Sequence, residues 1–302
     1  MPTTPRIIQS YWSRPGLESN YFAPDGSKVN YGWRDRKYHY FSWAYSCLQF
    51  TRLHGAVDLY TDTPGKDLLI DLLRLPYRQV SLCLDDLQDY HPDLWVVGKV
   101  KAYSQPKEPF MHADGDVFLT RPLADRITSA GLVAQHIEQQ IDYYQDAWSA
   151  FAERLQYTPE SLTACLQEEG EIKAFNNGLI GGQDLDFFRE YTTEFMHSLE
   201  VNIPHIDPKD YDRFNVLFEQ ALYYSRAHVG GQKVELVFEY DPLPPPEQIP
   251  QVREVLRKHH YLHPIYLYKK HPYICDMLEC WLRKDYPEWY YRILHLLESG
   301  KI

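Results

Sequence analysis

Asp114-Gly115-Asp116, within Pro109–Leu123 (PFMHADGDVFLTRPL), places two carboxylates on either side of a glycine where an apolar run ends. In extended chain, residues two apart point to the same side, so both side chains can aim oxygens at one point. Gly115 has no side chain to block a ligand that approaches the backbone. Two hard oxygen donors with room beside them suit a divalent cation carrying a diphosphate. The same tripeptide also suits a simple turn between strands, because Asp-Gly is a common turn pair.

The elements around this segment follow a regular order. Arg6–Trp12 reads as a buried strand, followed by a Gly-, Asn- and Tyr-rich loop through about Arg36. Helical spacing over Tyr40–Leu53 ends at Gly55, and Val57–Thr61 is a second strand. Pro64–Leu75 reads as an amphipathic helix, Gln79–Leu84 as a strand and Asp93–Tyr103 as a helix leading into the strand that carries Asp114. Strands alternating with helices predict a parallel sheet with helices on its faces, whose ligands sit beyond the carboxyl ends of the strands. Asp114 and Asp116 fall at such an end. In the second half, strands are expected at Gly131–Glu138, Ala174–Gly182 (with a glycine pair) and Val234–Phe238. Helices are expected at Asp142–Gln156, Pro159–Glu168, Leu185–Leu199, Asp210–Ala227, Gln251–His259 and Tyr273–Glu298. The expected organisation is an α/β catalytic domain over residues 1–240, then a proline-rich segment and helical C-terminal part over 241–302 that completes the site.

Composition narrows the partners. With 302 residues and 44% apolar content, the chain can build one large α/β domain or two small ones. A net charge of −11 without a long Lys/Arg run argues against non-specific nucleic-acid binding, so any phosphate site must be local. The 25 tyrosines suit half-buried core positions and also a sugar-binding cleft. Cys47, Cys83, Cys165, Cys275 and Cys280 show no zinc spacing and are odd in number, which fits reduced thiols. Met1–Ile8 is too polar for a signal peptide, and no apolar stretch is long enough to span a bilayer. A soluble, cytoplasmic protein is expected.

The order of segments resembles the GT-A-type nucleotide-sugar glycosyltransferases, and most of all their glycogenin-like, galactosyltransferase-like retaining group. Asp114-Gly115-Asp116 matches that family's Asp-X-Asp motif, and Phe175-Asn176-Asn177-Gly178 resembles its Phe-Asn-Ala-Gly segment. Glu219-Gln220 is similar to an acidic-Gln motif, although Ala221 stands where the family has a second Asp. His263 and Lys269 keep the spacing of His-X-X-Gly-X-X-Lys, with Tyr266 in place of the Gly. The resemblance spans roughly Ile7 to Lys269. It implies a GT-A-like, Rossmann-type mixed sheet flanked by helices. It also implies a metal site of Asp114, Asp116 and His263, a diphosphate contact from Lys269, and a sugar environment of Asn176, Glu219 and Gln220. Gln9, Ser10 and Tyr11 end the first strand where such enzymes place base and ribose. Asp62 ends the second strand, and Lys99 stands where the family has a donor-binding cation.

Each of these residues also has a plainer reading. His263 lies in a His-rich patch, Lys270 adjoins Lys269, and Glu219, Gln220 and Lys99 suit exposed helix faces. Asn176 and Asn177 suit a turn, and Asp62 suits a helix cap before Pro64-Gly65. The chemistry is coherent without the resemblance. When the anomeric C–O bond of a sugar nucleotide breaks, charge grows on the departing diphosphate, where a metal and a lysine would stabilise it. Two carboxylates and an imidazole favour Mn²⁺ over Mg²⁺. The expected activity is metal-dependent hexose transfer from a nucleotide diphosphate sugar, a UDP-sugar first, to a hydroxyl acceptor. A nucleotidyltransferase is the enzyme alternative, though no Gly-rich phosphate loop follows Arg6–Trp12. A non-catalytic sugar-nucleotide-binding protein of the same fold is the other.

Overall fold

The computed structural model describes residues 4–18, 32–138 and 141–302. Most of the Gly-, Asn- and Tyr-rich loop expected before Arg36 lies outside the described residues. The fold is α/β, with a seven-stranded, mostly parallel sheet flanked by helices, as the alternation of elements predicts. In chain order the strands are β1 Arg6–Tyr11, β2 Val57–Thr61, β3 Gln79–Ser81, β4 Phe110–Ala113, β5 Phe118–Leu119 and β6 Leu132–Ala134. They continue as β7 His136–Ile137, β8 Phe175–Asn176, β9 Leu179–Gly182, β10 Val234–Leu236 and β11 Tyr261–Leu262. The chain forms two compact units interleaved in sequence. The first comprises Met1–Arg6, Asp86–His112 and Ala124–Asp241, and the second comprises Ile7–Asp85, Ala113–Leu123 and Pro242–Ile302.

In the second unit β1, β2 and β3 run parallel, with Ile7 opposite Val57 and Leu59 opposite Val80. The helix Arg36–His54 starts at Asp35, whose carboxylate caps the Lys37 N–H at 2.8 Å, and ends at Gly55 with φ 87°. Every residue from Tyr38 to Phe50 in it is buried, so it shows no single apolar stripe. The expected helix over Pro64–Leu75 is a short α-turn, Thr63–Lys66, followed by a π-helical turn, Asp67–Leu72. The expected helix over Tyr273–Glu298 is two helices, Pro272–Asp285 and Pro287–Glu298. Pro287 steers Tyr286 out of the helical region, to φ −141° and ψ 61°. Both helices pack on Arg36–His54, with Trp281 stacked on Tyr45 at 5.6 Å and Tyr290 against Phe41 at 5.4 Å. The aromatic residues of this C-terminal stretch thus largely face the unit's own core.

In the first unit β10, β6, β9 and β4 are neighbours in that order. β10 runs parallel to β6, and β9 antiparallel to it. The glycine pair of β9 serves the sheet itself. A Cβ on Gly181 would lie 2.1 Å from the Phe110 carbonyl oxygen, and one on Gly182 would lie 2.0 Å from that of Gly131. The stretch Asp210–Ala227 is helical with a π-helical turn, Leu217–Ala221, inserted between Tyr211–Val216 and Leu222–Val229. Among the described residues, no helix is long and apolar enough to cross a membrane.

Candidate active site

Asp114 lies just past β4, and the Val117 N–H donates to its carbonyl at 3.1 Å, so Asp114–Val117 is a turn. The two readings of this tripeptide therefore coincide: a turn, rather than extended chain, carries both carboxylates. Gly115 is needed for a reason the sequence does not show. A Cβ there would lie 2.4 Å from the Trp43 indole, so Trp43, not a ligand, takes the space beside the glycine. Ser42 Oγ donates to the Gly115 carbonyl at 2.7 Å, which fixes the turn to the buried helix.

A second pairing brings in the rest of the cluster. β5 and β11 are antiparallel, with Phe118 opposite Leu262 and Leu119 opposite Tyr261. This register carries the next residue, His263, back toward the Asp114–Val117 turn. Its Nε2 lies 3.3 Å from Asp116 Oδ1, while the Lys269 ammonium pairs with Asp116 Oδ2. One ligand atom each from Asp114, Asp116 and His263 lies within 4.8 Å of the others. Burial alone would raise the Asp116 carboxyl. Lys269 and His263 outweigh burial and hold it well below the usual carboxylate range. The site thus contains an ionised carboxylate, a second carboxylate, an imidazole and a compact cation, a donor set that fits a divalent ion.

Beneath this cluster, the Arg36–His54 helix presents His39, Ser42, Trp43 and Ser46, which recur at helical spacing. Tyr11 packs edge-on against Trp43 at 4.9 Å and lies 5.9 Å from His39. Burial, then the Lys269 charge, pushes His39 down to about 3 against the opposing pull of Asp116, so it is neutral near pH 7. Sequence reasoning missed these residues, although their period was readable. Gln9 is buried: its amide donates to Ser46 Oγ at 2.9 Å and accepts from the Tyr77 hydroxyl at 2.7 Å. Asp62 acts as a cap, accepting from the Gly65 N–H at 2.9 Å and from Ser13 Oγ at 2.6 Å.

The first unit holds a different polar cluster. Lys99 Nζ lies 3.5 Å from Glu219 Oε1, and the Tyr103 hydroxyl donates to the same oxygen at 3.2 Å. Glu219 is fully buried on the π-helical turn rather than on an exposed face. Its carbonyl accepts from Tyr191 at 2.7 Å and from Asn177 at 3.3 Å. Gln220 accepts from the Tyr144 hydroxyl. Asn176 forms a local turn, its Oδ1 accepting from Gly178 N–H at 3.0 Å, and its amide donates to Glu138 at 2.8 Å. Burial, with the Lys99 charge, lowers His112 well below its ordinary value. Glu138, Tyr144 and His112 were not anticipated. The order of strand and helix segments gives no sign of them.

The family of unknown function DUF6734 matches residues 5–296. The chain belongs to this family. No curated protein matches it. Among solved structures, it resembles mouse xyloside xylosyltransferase 1 in its apo form at 13% identity and a TM-score of 0.37, covering 78% of this chain and 85% of that one. It resembles the galactosyltransferase LgtC, in complex with donor and acceptor sugar analogues, at 12% identity and 0.37, covering 88% and 82%. It resembles apo GlyE, a glycosyltransferase of Streptococcus pneumoniae TIGR4, at 10% and 0.42, covering 99% of this chain and 64% of that one. At TM-scores below 0.5 such likeness transfers no chemistry, and the site's own residues must carry its reading.

Proposed function

We propose that this chain is a metal-dependent glycosyltransferase that moves a hexose from a nucleotide diphosphate sugar, a UDP-sugar first, to a hydroxyl acceptor. The observation that carries this reading is the convergence on Asp116, where Asp114 and His263 complete a ligand set and Lys269 supplies a cation. A divalent ion, Mn²⁺ ahead of Mg²⁺, would be held by Asp114, Asp116 and His263, and would supply Lewis-acid stabilisation of the departing diphosphate. Asp116, kept ionised, offers full charge to that ion. Lys269 is a compact cation that can exchange a carboxylate oxygen for a phosphate oxygen. The Tyr11, His39 and Trp43 layer holds the turn rigid and leaves no proton on His39 to repel the ion. The sugar and acceptor we assign to Asn176, Glu219 and Gln220 with Lys99, a group in which hydrogen bonds fix the polar atoms before any ligand arrives.

The test is a thermal-shift panel of nucleotide sugars with and without Mn²⁺, followed by nucleotide-release assays on each hit. The expected result is a Mn²⁺-dependent shift with one UDP-sugar and slow release of UDP. A shift without release, even with varied acceptors, would indicate a binding protein. Pyrophosphate release from nucleoside triphosphates would indicate a nucleotidyltransferase. No shift with any compound would sink the proposal.

A further inference from the structure

Tyr266 combines three features that nothing among the described residues explains. Its backbone sits at φ 43° and ψ −109°, and the Tyr268 N–H donates to the Ile265 carbonyl at 3.0 Å. That is the first central position of a type II′ turn, where glycine is the usual residue because a Cβ is strained there. Secondly, Tyr266 is 79% exposed and the next residue, Leu267, is 52% exposed, so no packing among the described residues offsets the strain. Thirdly, the residue stands midway between His263 and Lys269, whose side chains both meet Asp116. A strained backbone that displays an aromatic ring in water beside a charged cluster gains nothing for the free protein. Such strain persists where a ligand uses it.

We propose that Tyr266 is a ligand-recognition residue whose ring packs on the face of a sugar ring flanking a diphosphate held at Asp116 and Lys269. The inference rests on the donor site proposed above and adds a residue to it. Aromatic faces pack well on the C–H face of a sugar, and the exposed Leu267 extends the apolar surface. Two sugar rings flank the diphosphate of a nucleotide sugar, the ribose and the transferred hexose, and either has the required chemistry.

The experiment is calorimetric titration of pyrophosphate, UDP and UDP-glucose, each with Mn²⁺, into wild type, Y266G, Y266A and Y266F. Y266G relieves the backbone, so it should fold and, without ligand, melt above wild type by about 1–4 °C. Y266A removes the ring but keeps the strain. Both should bind UDP or UDP-glucose about tenfold more weakly while pyrophosphate affinity stays unchanged, and Y266F should bind within about twofold of wild type. Loss on UDP already places the ring on the nucleoside side of the diphosphate, and loss on UDP-glucose alone places it on the hexose. Unchanged UDP-glucose binding by Y266G and Y266A would overturn the proposal, as would weaker pyrophosphate binding by Y266F, which would mean a hydroxyl contact to phosphate. If wild type binds none of the three compounds, the donor-site reading fails and this inference fails with it.

Discussion

Lys269 on Asp116 in the second unit and Lys99 on Glu219 in the first are the same pair of charges in two settings. Each has a buried histidine nearby, His39 and His112, which burial and the adjacent lysine keep neutral. The settings differ in what else reaches the carboxylate. Glu219 is fully buried, with the Tyr103 hydroxyl on the oxygen that faces Lys99 and two donors on its backbone carbonyl. Asp116 keeps some exposure and has a second carboxylate and an imidazole within ligand distance. A sealed pair fixes a polar arrangement, whereas an open pair with spare ligands can exchange its ammonium for a stronger cation. Burial of a like pair therefore separates a pair that holds neighbouring polar groups in place from one whose carboxylate can take a metal ion.

The largest expected effects break this comparison from both sides. D116N should abolish Mn²⁺-dependent nucleotide-sugar binding, a loss of at least about 100-fold, since it removes one of three ligands and the charge that holds Lys269. Its melting temperature should fall less than that of E219A, because Asp116 and Lys269 both keep some exposure whereas Glu219 has none. E219A should behave in the opposite way. Taking one member from a buried pair leaves Lys99 uncompensated, at a cost of about 3 kcal/mol by urea unfolding, while Mn²⁺ affinity measured alone stays unchanged. If D116N unfolds the protein and E219A does not, the two settings have been misread.

The histidines sharpen the contrast at smaller scale. A histidine whose folded value is lowered stays neutral in the folded state while the unfolded chain takes up a proton below about 6.5. Stability is then lost as pH falls from about 6.5 toward the folded value, which for His39 is about 3. For His39 this should cost about 2 kcal/mol between pH 7 and pH 5, and His112 should lose stability in the same direction. H39F should remove one such slope from urea-unfolding curves taken at the two pH values, and H112F should remove another. A slope that vanishes only in H112F would mean that Asp116 keeps His39 protonated.

Sequence patterning located the parts of this molecule that are long or periodic. The alternating strands and helices, and the position of Asp114 at a strand end, follow from hydrophobic spacing. The feature that assembles the cluster was invisible, because β5 and β11 are two residues each and have no period to detect. Motif spacing singled out His263 and Lys269, but only that pairing brings His263 to Asp116. The role of Gly115 was misread for a related reason. A glycine's need is set by its neighbour, and Trp43 is 72 positions away in the chain. Asp62 as a helix cap was legible because a cap is local. The plainer reading of Glu219 put it on an exposed helix face, and the π-helical turn that inserts it into the interior has no signature in helical spacing.

The smallest effect is the most specific to the open pair. The Lys269 ammonium occupies one oxygen of a carboxylate that a divalent ion would also need. Replacing it with an apolar side chain removes both a competitor and a repelling charge, so K269M should bind Mn²⁺ alone about three- to tenfold more tightly. The same variant should bind UDP with Mn²⁺ about tenfold more weakly, because the phosphate loses its cation. Opposite signs from one substitution are hard to obtain from general damage to the fold. K99M provides the control. Glu219 belongs to no comparable ligand group among the described residues, so Mn²⁺ affinity by titration should not change. Equal responses of K269M and K99M to Mn²⁺ would mean that the ammonium on Asp116 is a structural ion pair like its counterpart, and that the cluster around it is not a metal site.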